Sequence, residues 1–329
     1  MQSHSNMRRS ILLAGVGGVL MATSKVGFTQ ASFPSRPIRL IVPFPPGGTT
    51  DTLARLLSAK LSTLLGQTVI VENRPGANTQ IGTMELVRSQ ADGHTLLIAG
   101  PSTFTANPAV KTSIPYDPVK DFDYIGLAGT MPVILLATAN TKFKDIATLV
   151  QQAQARPSEI FYGSFGPGSI MHFAGETLNS VANIKLESVA YKGSTPAITD
   201  LMGEQIPLTF DTVVVAAPYI KAGRVQALGV TTAQRSTLLP DVPTMAEAGY
   251  RMDISSWLGI VAPAGLPDDV RQKLEKAVTE AVSATDMKQS MLSLGIESAP
   301  TGGDAFKEKV RNEYAAFRQL AIDNNITSE

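Results

Sequence analysis

Three glycine-bearing turns hold the residues best suited to chemistry. Gly47-Gly48 is followed by Thr49, Thr50 and Asp51; Gly166 and Gly168 are followed by Ser169 and His172; Gly193 is followed by Ser194 and Thr195. Each turn separates a short apolar run from an amphipathic stretch. The first N–H groups of a helix have no partner within it, and the helix dipole adds partial positive charge there. Such a turn can hold an anion without Arg or Lys, and glycine lets the ligand come close to the backbone. The hydroxyls of Thr49, Thr50, Ser169 and Ser194 add donors. Two such turns facing each other would grip a carboxylate from both sides. Taken singly, each is equally a strand-to-helix turn that uses glycine for steric reasons. Asp51 has two compatible roles: a helix N-cap with Arg55 one turn on, or a selector of a ligand amine or hydroxyl.

Catalytic equipment is sparse. His94 sits in an Ala91-Asp92-Gly93-His94 turn and is expected to be exposed. His172 shares a helix face with Ser169, but no third group completes a triad. The chain has no HExxH, CxxC, G-x-S-x-G, phosphate-loop or early G-x-G-x-x-G pattern. This points away from an enzyme, a metal site and a nucleotide cofactor.

The elements that must position these turns alternate. Ile38–Val42 reads as a buried strand and Leu53, Leu56, Leu57, Leu61 and Leu64 as a helix face. Val69–Val71 and Leu96–Ala99 are the next strands. Further on, the expected strands are Val133–Ala137, Ile160–Tyr162, Val189–Tyr191, Leu208–Phe210, Ala227–Thr231 and Ser256–Ala262. Helices are expected over 170–178, 268–282 and 304–322. Strand–helix alternation implies an α/β fold with parallel sheet. The theme recurs in both halves, which suggests two similar α/β domains. Their expected extents are 32–129 with 254–329, and 130–253, the helix-rich tail packing back on the first domain.

The N-terminus reads as an export signal. Arg8 and Arg9 precede the apolar run Ile11–Ala22, and Thr29-Gln30-Ala31 has the small-x-small form of a cleavage site. An ordinary secretory signal is the favoured reading, and the pair of arginines half-matches a twin-arginine signal as the alternative. Removing 1–31 leaves 25 basic against 28 acidic residues, a net charge of −3. That balance offers no electrostatic case for nucleic acid or an anionic membrane surface. The chain has no cysteine, so disulfides, thiolate chemistry and a lipid anchor on a terminal cysteine are excluded.

The motifs also carry a resemblance. Pro43-Phe44-Pro45-Pro46-Gly47-Gly48-Thr49-Thr50-Asp51 and Asn73-Arg74-Pro75-Gly76-Ala77 are followed by Tyr162-Gly163-Ser164-Phe165-Gly166-Pro167-Gly168-Ser169, His172 and Tyr191-Lys192-Gly193. Leu239-Pro240-Asp241-Val242-Pro243-Thr244, Glu247-Ala248-Gly249, Trp257 and Ala262-Pro263-Ala264-Gly265 complete the series. In this order they resemble the Bug family, the TctC-like solute-binding proteins of tripartite tricarboxylate transporters. The resemblance implies a type II-like periplasmic-binding-protein fold with a ligand cleft between two domains. It implies a monomeric periplasmic receptor for a small carboxylate that works with the transporter's membrane components; a sensor acting on a signalling receptor is the alternative output. It places Phe44, Gly47, Gly48, Thr49, Thr50, Asp51, Ser164, Phe165, Gly166, Gly168, Ser169 and His172 around the ligand. Ala77, Asn78, Ser102, Thr103, Lys192, Gly193, Thr195 and Asp211 are implied there too. Phe165 departs from the small or polar residue common at its position. It either narrows the pocket, stacks on an aromatic ligand, or packs internally.

Overall fold

The computed structural model describes residues 33–111 and 113–327; the expected export signal, 1–31, lies outside them. The first elements are β1 (Ile38–Val42), α1 (Thr49–Leu65), β2 (Val69–Asn73), α2 (Gln80–Val87) and β3 (Thr95–Ala99). Two short helices, α3 (Pro101–Phe104) and α4 (Ala106–Val110), lead to the long strand β4 (Phe122–Thr138). Then follow α5 (Ile146–Ala155), β5 (Phe161–Ser164), α6 (Ile170–Ala182), β6 (Glu187–Ala190) and α7 (Ser194–Met202). The chain continues through β7 (Leu208–Thr212), α8 (Val213–Lys221), β8 (Val225–Val230) and β9 (Ser255–Pro263). It ends with α9 (Asp268–Ser283), α10 (Thr285–Ser293), β10 (Glu297–Gly302) and α11 (Gly303–Asp323).

The strands β1 and β3 are mostly apolar on both faces because both faces are largely covered, Arg39 of β1 being the half-buried exception that pairs with Glu72 and Glu85. Ile38, Leu40 and Val42 join one core cluster with Leu53, Leu57 and Leu61 of α1, while Ile41 joins a second cluster with Trp257 and Phe306. The expected α1 face is one residue off at its end: Leu65 is buried and Leu64 is 37% exposed. In the other half, Leu135, Phe210 and Phe173 fill one side of the sheet and Ile134, Leu136, Leu201 and Val213 the other. The result is the expected α/β architecture, with helices on both faces of each half of the sheet.

The strand order is β2-β1-β3-β9-β4-β7-β5-β6, with β10 and β8 also on β4. Its crucial member is β4. Over residues 122–132 it pairs with β9 and over Gly126–Thr130 with β10; from Val133 onward its partners are β7 and β8. Only Val133–Ala137 is legible as a strand in the sequence. The earlier part is masked by Gly126, Gly129 and Pro132, and the pairing with β9 shifts register between Tyr124 and Gly126 and between Leu127 and Gly129. At Gly129 a Cβ would come 2.6 Å from the Glu297 carbonyl of β10. The glycine is there for close strand approach, which weakens the local strand signal.

The registers also fix where the strands end. The last residue of β3, Ala99, faces Gly259, which faces Leu127 of β4. On the other side β7 runs antiparallel to β4 and ends with Thr212 opposite Val133. Both sets of parallel strands therefore point at the stretch of β4 between Leu127 and Val133. The helices that follow them, α1, α2 and α3 on one side and α6, α7 and α8 on the other, start at those facing ends. Ligands of open α/β sheets bind outside the carboxyl ends of the strands.

The tail does more than pack on the first half. Phe306 and Val310 of α11 enter the core beside Trp257, whereas Phe317 and Ala321 enter the core of the second half. Phe317 stacks on Phe173 of α6 at 4.0 Å. Between these ends Glu313 accepts hydrogen bonds from Trp257 Nε1 at 3.0 Å and Thr105 Oγ1 at 2.6 Å. One helix thus serves both halves, because its apolar face changes partner midway.

Candidate functional site

The turn from β1 into α1 is held by a buried carboxylate. Asp51 Oδ2 accepts from the Gly47 N–H at 2.9 Å and Arg55 Nε at 3.0 Å. Its Oδ1 accepts from Arg55 Nη2 and Asn73 Nδ2, both at 3.0 Å. Asn73 Nδ2 also donates to the Phe44 carbonyl at 3.1 Å. The Asp51 side chain is 4% exposed and its Arg55 partner 55%. The Arg55 guanidinium, with the Gly47 and Asn73 donors, outweighs burial and lowers the Asp51 carboxyl from 3.8 to about 2. The expected N-cap role is not what the structure shows: Gly48 is the N-cap of α1, and no side chain caps it. Asp51 lies inside the first turn and reaches back to the loop. Its two oxygens are spent on Gly47, Arg55 and Asn73. The first intrahelical bond of this end runs from the Thr52 N–H to the Gly48 carbonyl. The N–H groups of Thr49 and Thr50 therefore have no intrahelical acceptor. Gly48 and Thr49 are exposed and Thr50 half-buried.

The turn from β5 into α6 caps itself. Ser169 is the N-cap, its Oγ accepting from the His172 N–H at 3.2 Å and donating to the Gly166 carbonyl at 2.7 Å. Ser164 is buried and its hydroxyl meets that of Ser188 at 2.8 Å. The N–H groups of Ile170 and Met171 precede the first intrahelical bond, from the Phe173 N–H to the Ser169 carbonyl. Gly168 has φ +77°, and a Cβ on it would lie 2.9 Å from Val110 Cγ2 of α4. Phe165 is half-buried and packs on the core of this half, which favours the internal-packing reading of that side chain.

The turn from β6 into α7 reaches a buried carboxyl group of the protein itself, that of Asp211. Gly193, at φ +131°, is the N-cap. Ser194 Oγ donates to Asp211 Oδ1 at 2.9 Å, and the Thr212 N–H, where α8 begins, donates to the same oxygen at 2.7 Å. Asp211 is fully buried, and its Oδ2 has no partner among the described residues. Burial raises its carboxyl to about 6 against those donors. Lys192 and Thr195 beside it are exposed.

A cavity of about 480 Å³ opens against the first turn, lined by Pro43, Phe44, Pro45, Pro75, Gly76, Asn78, Thr79, Ser102 and Asn107. It brings together the ends of β1, β2 and β3, and with them the predicted residues Phe44, Asn78 and Ser102. Ala77 stands beside it in an unusual backbone: Ala77, Asn78 and Thr79 have φ of 45°, 52° and 77°. Successive left-handed non-glycine residues cost roughly 1–2 kcal/mol each. The Asn73–Ala77 motif announces a turn but not this run, so Thr79 and Asn107 are missed from sequence. Thr103 is fully buried and donates to Thr79 Oγ1 at 3.0 Å, so it braces that turn from within.

The histidines lie elsewhere. His94 is 5% exposed, against the expected exposed turn: it accepts from the Ser35 N–H at 3.1 Å and meets Phe33 edge-on. The segment after residue 32 folds over it, which no local pattern signals. His172 borders a different cavity of about 540 Å³, with Pro167, Glu176, Lys185 and residues 324–327. Its Nε2 is 3.7 Å from Glu176 Oε1, and burial lowers its pKa while raising that of Glu176. Ser169 Oγ is engaged with backbone groups, not with the imidazole. Among the described residues no group of three or more His, Asp or Glu could hold a metal ion. No helix among them is long and apolar enough to cross a membrane.

Residues 53–320 match the tripartite tricarboxylate transporter family receptor, TctC. A UPF0065 protein from the tcbD-tcbE intergenic region of Pseudomonas sp. (strain P51) is 34% identical, covering 98% of this chain and 97% of its own. Protein BugT of Bordetella pertussis is 34% identical over 88% of this chain and 89% of its own. Among solved structures, the periplasmic binding protein BugD is 31% identical with a TM-score of 0.67, covering 90% of this chain and 100% of its own. An R. palustris protein solved with adipate is 32% identical with a TM-score of 0.70, covering 90% and 99%. MatC from Rhodopseudomonas palustris, with bound malate, is 30% identical with a TM-score of 0.66, covering 88% and 99%.

Proposed function

Because the chain belongs to the tripartite tricarboxylate transporter receptor family, we propose that it is a periplasmic receptor. It captures a small organic carboxylate and delivers it to the transporter's membrane components. The observation that carries this reading is the convergence of helix starts. The starts of α1 and α6, with N–H groups free of intrahelical acceptors, open toward the same stretch of β4. Helix N-termini of this kind hold carboxylates without a cationic side chain. The relatives solved with adipate and malate support the ligand class.

In this reading Gly48, Thr49 and Thr50 hold one side of the carboxylate, and Gly168, Ser169 and the start of α6 the other. Ala77, Asn78 and Ser102 border the body of the ligand. Asp51, Ser164 and Thr103 brace these loops. Residues 32–129 with 254–329, and 130–253, act as the two domains, and ligand binding favours their closed arrangement. The protein works as a monomer. It works without catalysis, a reading supported by the engagement of Ser169 with backbone groups.

The test is calorimetry on ligand-stripped protein with a panel of mono-, di- and tricarboxylates. One saturable site for at least one acid is expected. A well-folded protein that binds none would refute capture of small acids.

A further inference from the structure

Two pieces of the chain run from one half of the molecule to the other. One is α11, whose Phe306 and Phe317 enter different cores. The other is the stretch 101–110, made of α3 and α4. Its Phe104 packs in the cluster with Trp257, while Ala106, Ala109 and Val110 pack in the core of the second half. This stretch also touches both sides of the site. Thr103 donates to Thr79 Oγ1 at 3.0 Å, and Asn107 Nδ2 donates to the Asn78 carbonyl at 3.4 Å. At the other end Val110 lies against Gly168 of the turn into α6.

A buried polar contact joins the two pieces. Glu313 Oε1 of α11 accepts from Thr105 Oγ1 at 2.6 Å, and its Oε2 accepts from Trp257 Nε1 at 3.0 Å. Thr105, at the joint between α3 and α4, is fully buried, and the Glu313 side chain is 8% exposed. Lys309 Nζ stands 3.4 Å from Glu313 Oε2. Burial raises the Glu313 carboxyl above its ordinary value despite these partners. Arg318 of α11 adds a second tie, donating to the Ala109 carbonyl at 2.8 Å. A buried carboxyl is a poor way to add stability, because a well-packed apolar side chain serves as well or better. Hydrogen bonds are directional, so they fix the stretch 101–110 against α11 where apolar packing would let it slide.

Resting on the capture reading above, we infer that Glu313 is a positioning residue for ligand binding. Through Thr105 it sets the stretch 101–110, and that stretch ties the loop at Asn78 and Thr79 to the turn at Gly168. The two sides of the site are thus registered against each other by a carboxyl group that does not itself line the cavity. A carboxylate gripped from two sides depends on that register, because hydrogen bonds to it are good only within about 3.2 Å.

The first test is amide hydrogen exchange, read by mass spectrometry, on the ligand-stripped protein. Glu313→Ala should speed exchange at least about fivefold in the peptides spanning 77–79 and 166–171. Glu313→Gln, whose amide oxygen can still accept from Thr105 and Trp257, should stay within about twofold of the unaltered protein. Leu201→Ala controls for general loss of stability, since its core cluster contains no part of α11 or of 101–110. Unchanged exchange in either peptide of folded Glu313→Ala, or equal acceleration of both by Leu201→Ala, would overturn the inference. If Glu313→Ala does not fold by circular dichroism, Thr105→Val takes its place and should speed both peptides at least about threefold, no change again overturning the inference. The second test is calorimetry with adipate, malate, citrate and benzoate as probes. Glu313→Ala should weaken the tightest of them at least about tenfold, and Glu313→Gln less than about threefold. Equal affinity in Glu313→Ala would overturn the inference while leaving carboxylate capture intact. If none of the four binds the unaltered protein, capture itself falls and the inference falls with it.

Discussion

At the end of β1 the turn into α1 is braced by charge; at the end of β5 the turn into α6 is braced by its own serine. Both are strand–glycine–helix turns with similar spacing. In the first, Asp51 sits in the helix and pulls back the Gly47 N–H, with Arg55 and Asn73 holding the carboxylate in turn. In the second, Ser169 caps the helix and ties down the Gly166 carbonyl without a charged group. The first turn is exposed, whereas the second is pressed against Val110 at Gly168. The comparison teaches that a shared local pattern leaves open how a loop is made rigid. An exposed loop needs an electrostatic brace, while a packed one is already held by its neighbours.

The largest expected effect strikes the packed turn. Gly168→Val imposes a left-handed φ on a branched residue and drives it into Val110. It should cost about 3 kcal/mol in denaturant unfolding. A loss under about 1 kcal/mol would mean the turn is not held by packing. Next comes the charged brace. Asp51→Ala should cost about 2 kcal/mol, since it removes the acceptor of the Gly47 N–H and of Arg55 and leaves Asn73 only the Phe44 carbonyl. It should also weaken ligand binding through a looser loop. The brace has a pH signature as well. A carboxyl lowered from 3.8 to about 2 contributes stability that is full above its ordinary value and lost as pH falls between them. The acid limb of the stability profile should therefore flatten in Asp51→Ala, and a superimposable limb would count against the brace.

Ser169→Ala removes a cap and should cost about 1 kcal/mol, with no change in the acid limb; thermal melts at several pH values distinguish it from the Asp51 variant. The smallest effect belongs to Lys192→Ala. If backbone donors hold the carboxylate, affinity should change by less than about twofold. A tenfold loss in calorimetry would break the comparison by making a cation the holder.

Much of this arrangement is legible in the sequence. Glycines after short apolar runs mark the turns, and leucine spacing marks α1, because these signals come from neighbours in the chain. The Bug-type motifs name the family. The sequence also settles, without any coordinates, that no thiol chemistry operates here and that the expected mature chain is slightly acidic. What the tertiary structure decided depends on contacts distant in sequence. The first half of β4 is a strand because β9 and β10 flank it, despite its glycines and proline. Asp51 is a brace because Asn73, 22 residues later, arrives beside it. His172 borders a cavity lined in part by residues 324–327. Asp211 is buried at the start of two helices because β7 ends there. Local pattern sets which turns can hold an anion; only the fold decides which of them meets a carboxyl group of the protein itself.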